Sequence, residues 1–202
     1  GFALTDSSSA KFDVTDDTSD NAYSIKLTAN GIGTLEFDFA DADDTVTLEA
    51  GSTVTGFTTL KITDGTVDAT AADLSSITRV EVASGAILSL AQVKEIPTLV
   101  VNDAVLGKIT VEVATVAEAE ELVSLLGAGT VSVYGTASNI EVVASSTADP
   151  ALTTEFIAIK QTAVVAEVKA VSEAPADSGS DDASGESGSD GESGSGDESG
   201  SS

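Results

Sequence analysis

Cysteine and histidine are both absent from this chain of 202 residues, and each absence removes a class of chemistry. Without cysteine there is no disulfide, no zinc–thiolate site and no thiol nucleophile. Without histidine, Ser-His-Asp and Cys-His arrangements are excluded, together with imidazole acid–base work. Tryptophan is missing too, and with only 2 Tyr and 6 Phe the apolar 41% is mostly Ala, Val, Leu and Ile. Such a composition implies a narrow, layered interior rather than a broad aromatic-filled one. No run of 18 apolar residues occurs, so no membrane span is expected.

Positive charge is scarce as well. There are 8 basic residues against 34 acidic ones, a formal charge of −26, and Arg79 is the only arginine. This argues against nucleic acid or anionic lipid as a partner, because both need Lys and Arg to neutralise phosphate. Cations, basic proteins and water suit such a surface better. From Glu173 onward the chain is almost entirely Ser, Gly, Asp and Glu, and this tail carries 9 of the acids and no base. It cannot repay the entropy of folding, so residues 173–202 are expected to be a disordered acidic tail. Without those nine, 25 acids still face the 8 bases, so the folded part is acidic in its own right. The chain begins at Gly1 with no Met, which reads as a processed or excised form.

What the sequence does have is a repeated spacing of apolar and small residues. Val54, Phe57, Leu60, Ile62, Gly65 and Val67 set the pattern. Leu74, Ile77, Val80, Val82, Gly85 and Ile87 repeat it, and Val93, Ile96, Leu99, Val101, Ala104 and Leu106 repeat it again. The starts are 20 and then 19 residues apart. One such unit cannot bury its own apolar edge, but stacked units share a continuous core. Each apolar–x–apolar pair predicts a short strand, and the small residue after it a tight turn. Thr45 to Gly51 reads as a degenerate first unit.

The connections carry helix-start signals. Thr70-Ala71-Ala72-Asp73 and Ser89-Leu90-Ala91-Gln92 both resemble the capping box and predict single helical turns. Thr115-Val116-Ala117-Glu118 heads a longer helix near 115–126, whose Val116, Ala119, Leu122, Val123 and Leu126 share a face before Gly127 stops it. Strand-like pieces at 107–113, 130–134 and 139–143 flank it. Tyr23 to Leu27 and Leu35 to Phe39 alternate with the period of strands, and Asn30-Gly31-Ile32-Gly33 between them predicts a hairpin turn. Glu155 to Gln161 and Ala163 to Val171 form either a last hairpin or a helix.

The expected organisation is mainly β. A β-rich hairpin or cap spans 1–45, β-solenoid-like repeats with short helical connections span 46–145, and a capping or strand-pairing segment spans 146–172. The tail follows.

The repeat spacing resembles a leucine-rich repeat with Gly or Ala in place of the usual Asn. The Thr- and Ala-rich style of Asp64 to Leu74 is more similar to the β-solenoid repeats of secreted bacterial surface-layer proteins and large adhesins, over about residues 45–110. That resemblance implies an extracellular or cell-surface location and a calcium-tolerant, non-catalytic structural role.

Two acidic clusters are candidates for hard cations, which want several carboxylate and carbonyl oxygens in one loop. One is Asp13, Asp16, Asp17 and Asp20, with Asn21 beside them. The other is Asp38, Asp41, Asp43 and Asp44. Neither carries the Gly and terminal Glu of an EF-hand loop, and Ca²⁺ is the ion they would take. For a polysaccharide-active enzyme on the same scaffold, Lys61, Arg79 and Tyr134 are the available base or clamp, and Asp64, Asp68 and Asp73 the available carboxylates. The lone Gly31-x-Gly33 lacks every other mark of a phosphate loop. The expectation is therefore a non-catalytic structural subunit or adhesion module, forming a homo-oligomer or polymer through exposed strands. A module binding a glycan or cell-surface component ranks second, and an enzyme third.

Overall fold

The computed structural model describes residues 2–14, 22–102 and 106–172, with side chains at 10–11, 22–102 and 106–170. The expected disordered tail, with Asp16, Asp17 and Asp20 of the first acidic cluster, lies outside the described residues. The first strands are β1 (Phe2–Val14), β2 (Ala22–Ile25), β3 (Leu27–Phe39), β4 (Thr45–Leu48), β5 (Thr53–Ile62) and β6 (Thr66–Asp68). They are followed by β7 (Arg79–Val82), β8 (Gly85–Ser89), β9 (Thr98–Val101), β10 (Lys108–Val113), β11 (Ser132–Tyr134) and β12 (Ile140–Ala144). Three α-helices, α1 (Leu90–Glu95), α2 (Val116–Gly127) and α3 (Thr154–Ser172), and a 3₁₀ turn at Ala137–Asn139 complete the described elements.

Odd-numbered strands form one six-stranded sheet in the order β1-β3-β5-β7-β9-β11, and even-numbered strands form the other, β12-β10-β8-β6-β4-β2. Every described pairing is parallel. The chain alternates between two parallel sheets, and that is a β-solenoid.

The inward columns explain the repeat. Leu35, Leu60, Val80, Leu99 and Val133 follow one another across the odd sheet, and each is buried. Phe37, Ile62, Val82 and Val101 form the next inward column. From the even sheet, Val46, Val67, Ala86, Ile109 and Ile140 face the same core. Burying a Val, Leu or Ile side chain contributes about 1.5–3 kcal/mol, so each coil stabilises the next through small aliphatic steps rather than large rings. The threonines serve this stacking too. Thr55 Oγ1 donates to the Ala29 carbonyl at 3.2 Å and Thr78 Oγ1 to the Thr58 carbonyl at 3.3 Å, while Ser76 Oγ donates to the Val54 carbonyl at 2.8 Å.

The expected hairpin is corrected. The segments around Tyr23 and Leu35 enter different sheets, since β2 pairs with β4 while β3 pairs with β1 and β5. Asn30 to Gly33 lies inside β3, where the register shifts, and is not a turn. The close approach there is made by the next coil's glycine: a Cβ on Gly56, whose φ is +79°, would stand 2.1 Å from the Gly31 carbonyl oxygen. Strands β1, β2 and β3 thus belong to the same two sheets as the later coils.

The last position of the repeat is also corrected. Ile87 pairs with Asp68 and Thr110 in an outward column, while Ala86 and Leu88 are buried. The link from Val82 to Gly85 is one residue shorter than that from Ile62 to Thr66, and in a strand one residue exchanges the faces. Leu106 is 58% exposed and lies before β10, whose Ile109, Val111 and Val113 fill the core instead.

Of the helix starts, Ser89 forms the full capping box with Gln92 at the head of α1. Thr115 caps α2, accepting from the Glu118 N–H. Thr70 starts no helix: Asp68 Oδ1 takes both its N–H and its hydroxyl, closing a turn. Glu155 to Gln161 and Ala163 to Val171 belong to one helix, α3, so pairing by Ala163 to Val171 as a strand is ruled out.

Candidate functional site

Outward side chains of the odd sheet form a column of alternating charge. The register sets Lys11 beside Glu36, Glu36 beside Lys61, and Lys61 beside Glu81. The Glu36 carboxylate accepts from Lys61 Nζ at 2.7 Å and from Thr63 Oγ1 at 2.6 Å. Arg79 Nε donates to Glu81 at 2.5 Å, and Lys11 Nζ lies 2.5 Å from Asp38. The two basic residues considered as an enzymatic clamp, Lys61 and Arg79, are therefore engaged by strand neighbours. Farther along, Val100 and Tyr134 continue the column, and Tyr134 is 58% exposed.

The carboxylates considered for hydrolysis make local bonds. Asp64 Oδ1 accepts from the Gly65 N–H, Asp68 Oδ1 from Thr70, and Asp73 Oδ1 from the Ser75 N–H. These are the short side-chain-to-backbone turns Asp favours wherever a chain must bend.

Three acids among the described residues depart from ordinary titration, Asp73 being lowered first by the hydrogen bond from the Ser75 N–H, and Glu36 and Glu112 moving in opposite directions. Glu36 is held below the usual glutamate range, first by the hydrogen bond from Lys61 and then by that from Thr63. Glu112, on the outward face of β10, is raised, first by burial and then by the negative charge of Asp68. A lowered carboxylate stabilises the fold above its unfolded pKa, and that contribution is lost as pH falls through its folded pKa. A raised one does the reverse and penalises the fold as pH rises past its unfolded pKa. Glu112→Gln is therefore expected to raise stability slightly at pH 7, solvent screening keeping the gain small, with the gain fading below pH 4. Urea unfolding at both pH values checks this; equal gains at the two would locate the effect elsewhere.

The second acidic cluster does not converge. Asp38 is bonded to Lys11, and Asp41 Oδ1 accepts from the Asp43 N–H. Asp43 is exposed and Asp44 is buried, its carbonyl accepting from the Thr66 N–H. Asp13 stands opposite Asp38 in the β1–β3 register, and its side chain lies outside the described residues. Among the described residues no three acidic side chains are grouped to hold a metal ion. Asp43 instead lines an open groove with Ala42, Thr66, Ser84, Gly85, Leu106 and Lys108.

The two ends of the solenoid differ, and here the geometry is most specific. At the β11–β12 end, α3 packs against β11, β12 and α2. Gln161 of α3 treats β12 as a neighbouring strand would. Its Oε1 accepts from the Val142 N–H at 2.6 Å and its Nε2 donates to the Ile140 carbonyl at 2.7 Å. Val164 and Val168, on the same face of the helix, are fully buried. This end is covered by a helix, and two backbone groups of the β12 edge are satisfied by Gln161.

At the other end, β1 and β2 are the outermost strands, each paired on one side only among the described residues. The interior is incompletely covered there. Tyr23 and Ile25 occupy the inward columns of Val46 and Leu48 but are only partly buried, whereas Val46 and Leu48 are fully buried. Sequence reasoning anticipated exposed strands but not this polarity. The missed signal was Gln161, an amide set three and seven residues before Val164 and Val168 on an otherwise apolar helical stripe.

No helix among the described residues is long and apolar enough to cross a membrane. No protein-family model, curated protein or solved structure matches the chain.

Proposed function

We propose that this protein is a non-catalytic structural subunit or adhesion module of an extracellular or cell-surface assembly, joined through the open β1/β2 end of its solenoid. The observation that carries this reading is the contrast between the ends. One is covered by α3, with Gln161 bonding two groups of the β12 edge; at the other, β1 and β2 are each paired on one side only among the described residues, with Tyr23 and Ile25 partly exposed. Unpaired strand edges template pairing with another chain, and proteins that avoid association blunt or cover them.

Charge controls when this happens. Chains carrying −26 repel one another at low ionic strength, and salt or a divalent cation such as Ca²⁺ shortens that repulsion to contact range. Light scattering and circular dichroism across a Ca²⁺ titration, with Mg²⁺ and matched ionic strength as controls, test the reading. Mass is expected to rise with Ca²⁺ and, more weakly, with salt. A protein that stays monomeric at high concentration in millimolar Ca²⁺ is not an assembling subunit. That result would move the glycan- or protein-binding module ahead, for which exposed Tyr134 beside Val100 is the supporting feature.

A further inference from the structure

One outward row of the even sheet runs Ala22, Thr45, Thr66, Gly85 and Lys108, one residue per strand. Gly85 leaves a gap in it. A Cβ there would stand 2.3 Å from Thr66 Oγ1, so the threonine's own position requires the glycine. The link that delivers Gly85 is also short, only Ala83 and Ser84 following β7, and Ser84 is 8% exposed. The missing side chain and the short link leave a groove in the sheet face. Asp43, from the β3–β4 link, and Leu106, from the segment before β10, wall an open space of about 220 Å³.

The groove carries polar groups that the fold itself does not use. Among the described residues the Asp43 carboxylate and the hydroxyls of Thr66 and Ser84 make no hydrogen bond; Asp43 engages only its N–H, with Asp41. A hydroxyl on a residue as buried as Ser84 takes its partner from whatever enters the groove, water or a ligand that displaces water. Lys108 Nζ lies 3.2 Å from Glu141, and both side chains are about half exposed. Its charge is balanced there, while its remaining N–H groups stay available as donors. Leu106, 58% exposed, adds an apolar surface.

We propose that this groove binds one neutral pyranose unit of a glycan. Such a ring offers adjacent hydroxyls to a carboxylate, oxygens to an ammonium, and an apolar C–H face to a leucine. The volume falls below the roughly 300–1,000 Å³ of drug-sized sites and suits a single ring. With Lys108 paired to Glu141, Asp43 leaves the groove net negative, so phosphate, sulfate and uronate are repelled. A divalent cation would find a single carboxylate there, and a free amino acid would set its own carboxylate against a lysine already paired. The proposal rests on the reading of the chain as an adhesion module and gives that module its ligand. One groove binds so small a ligand weakly, with a Kd of about 1 mM. Copies held in one assembly bind a glycan-coated surface far more tightly.

Amide chemical shifts of the isotopically labelled full chain test this, at low ionic strength where copies stay apart. The probes are the methyl glycosides of glucose, galactose and mannose, with glucuronate and glycine as controls. At least one neutral glycoside is expected to shift Thr66, Gly85 and Lys108 saturably, and both controls to bind about tenfold more weakly or less. Asp43→Ala, at an exposed loop position, is expected to weaken binding by about tenfold or more, because it removes a charged acceptor. Leu106→Ser should weaken it severalfold, and circular dichroism checks that each variant keeps the wild-type fold. No saturable shift at these amides overturns the proposal. So do shifts gathered around Tyr134 instead, binding that Asp43→Ala leaves unchanged, or tighter binding of either control. Because separated copies are measured, these results leave the assembly claim standing; a chain that gains no mass in Ca²⁺ sinks that claim and leaves the groove.

Discussion

Replacing Gln92 with leucine is expected to cost about 2–4 kcal/mol, with the urea midpoint falling in proportion and the slope unchanged. Gln92 lies at the start of α1 and is 8% exposed. Its amide holds three backbone groups at once. Oε1 accepts from the Ser89 N–H at 2.9 Å, and Nε2 donates to the Ala69 carbonyl at 2.7 Å and the Ala72 carbonyl at 2.8 Å. The two carbonyls belong to the preceding coil, some twenty residues earlier, so the side chain fastens one turn of the solenoid to the next. Leucine fits the volume but leaves the Ser89 N–H and the Ala72 carbonyl without the amide, at about 1–3 kcal/mol each, while the Ala69 carbonyl still accepts from the Ala72 N–H. The Ser89 hydroxyl would still cap the helix through the Gln92 backbone N–H, so α1 itself should persist. The loss is therefore predicted in global stability and not in helix content. A midpoint shift equivalent to less than about 1 kcal/mol would mean that water replaces the amide.

How much of this was legible in the sequence follows from the range of each signal. The capping box at Ser89 is local, four residues long, and the structure forms it as read. The aliphatic spacing was legible because the coils from Val54 to Val101 are nearly equal in length, and their buried columns coincide with the repeat. The same uniformity misled at Ile87, where a link one residue shorter exchanged the inward and outward faces. Asn30 to Gly33 misled for a different reason. Gly-rich stretches mark turns by their freedom of backbone, but also places where two backbones must touch, and Gly31 against Gly56 is the second kind. Nothing within residues 22–39 distinguishes these uses, because the contact is with the next coil. The acidic clusters were conspicuous by composition alone. Composition does not fix convergence, and Asp38 and Asp41 found separate partners in Lys11 and the Asp43 N–H. The closure of one end depended on a single amide in α3, which reads as an ordinary polar helix residue until β12 is placed beneath it.

That amide also gives a way to move the polarity of the molecule. Gln161→Leu is expected to lower stability by about 2 kcal/mol, since the Val142 N–H and the Ile140 carbonyl lose their partners at a half-buried site. The energetic loss is the smaller consequence. With the bonds removed, α3 retains Val164 and Val168 in the core but no longer covers the hydrogen-bonding edge of β12, which then resembles β1 and β2. The variant should associate through this newly exposed edge, giving species larger than those the wild type forms under the same conditions. Gln161→Glu separates the two effects. It keeps an acceptor for the Val142 N–H, loses the donor to Ile140, and places a charge at the edge, a feature that opposes strand pairing. It should therefore lose stability without gaining mass. Light scattering beside chemical unfolding for the two variants distinguishes the outcomes. If Gln161→Leu unfolds earlier yet never exceeds the wild-type mass, α3 seals its end by bulk alone, and the amide serves stability and not assembly.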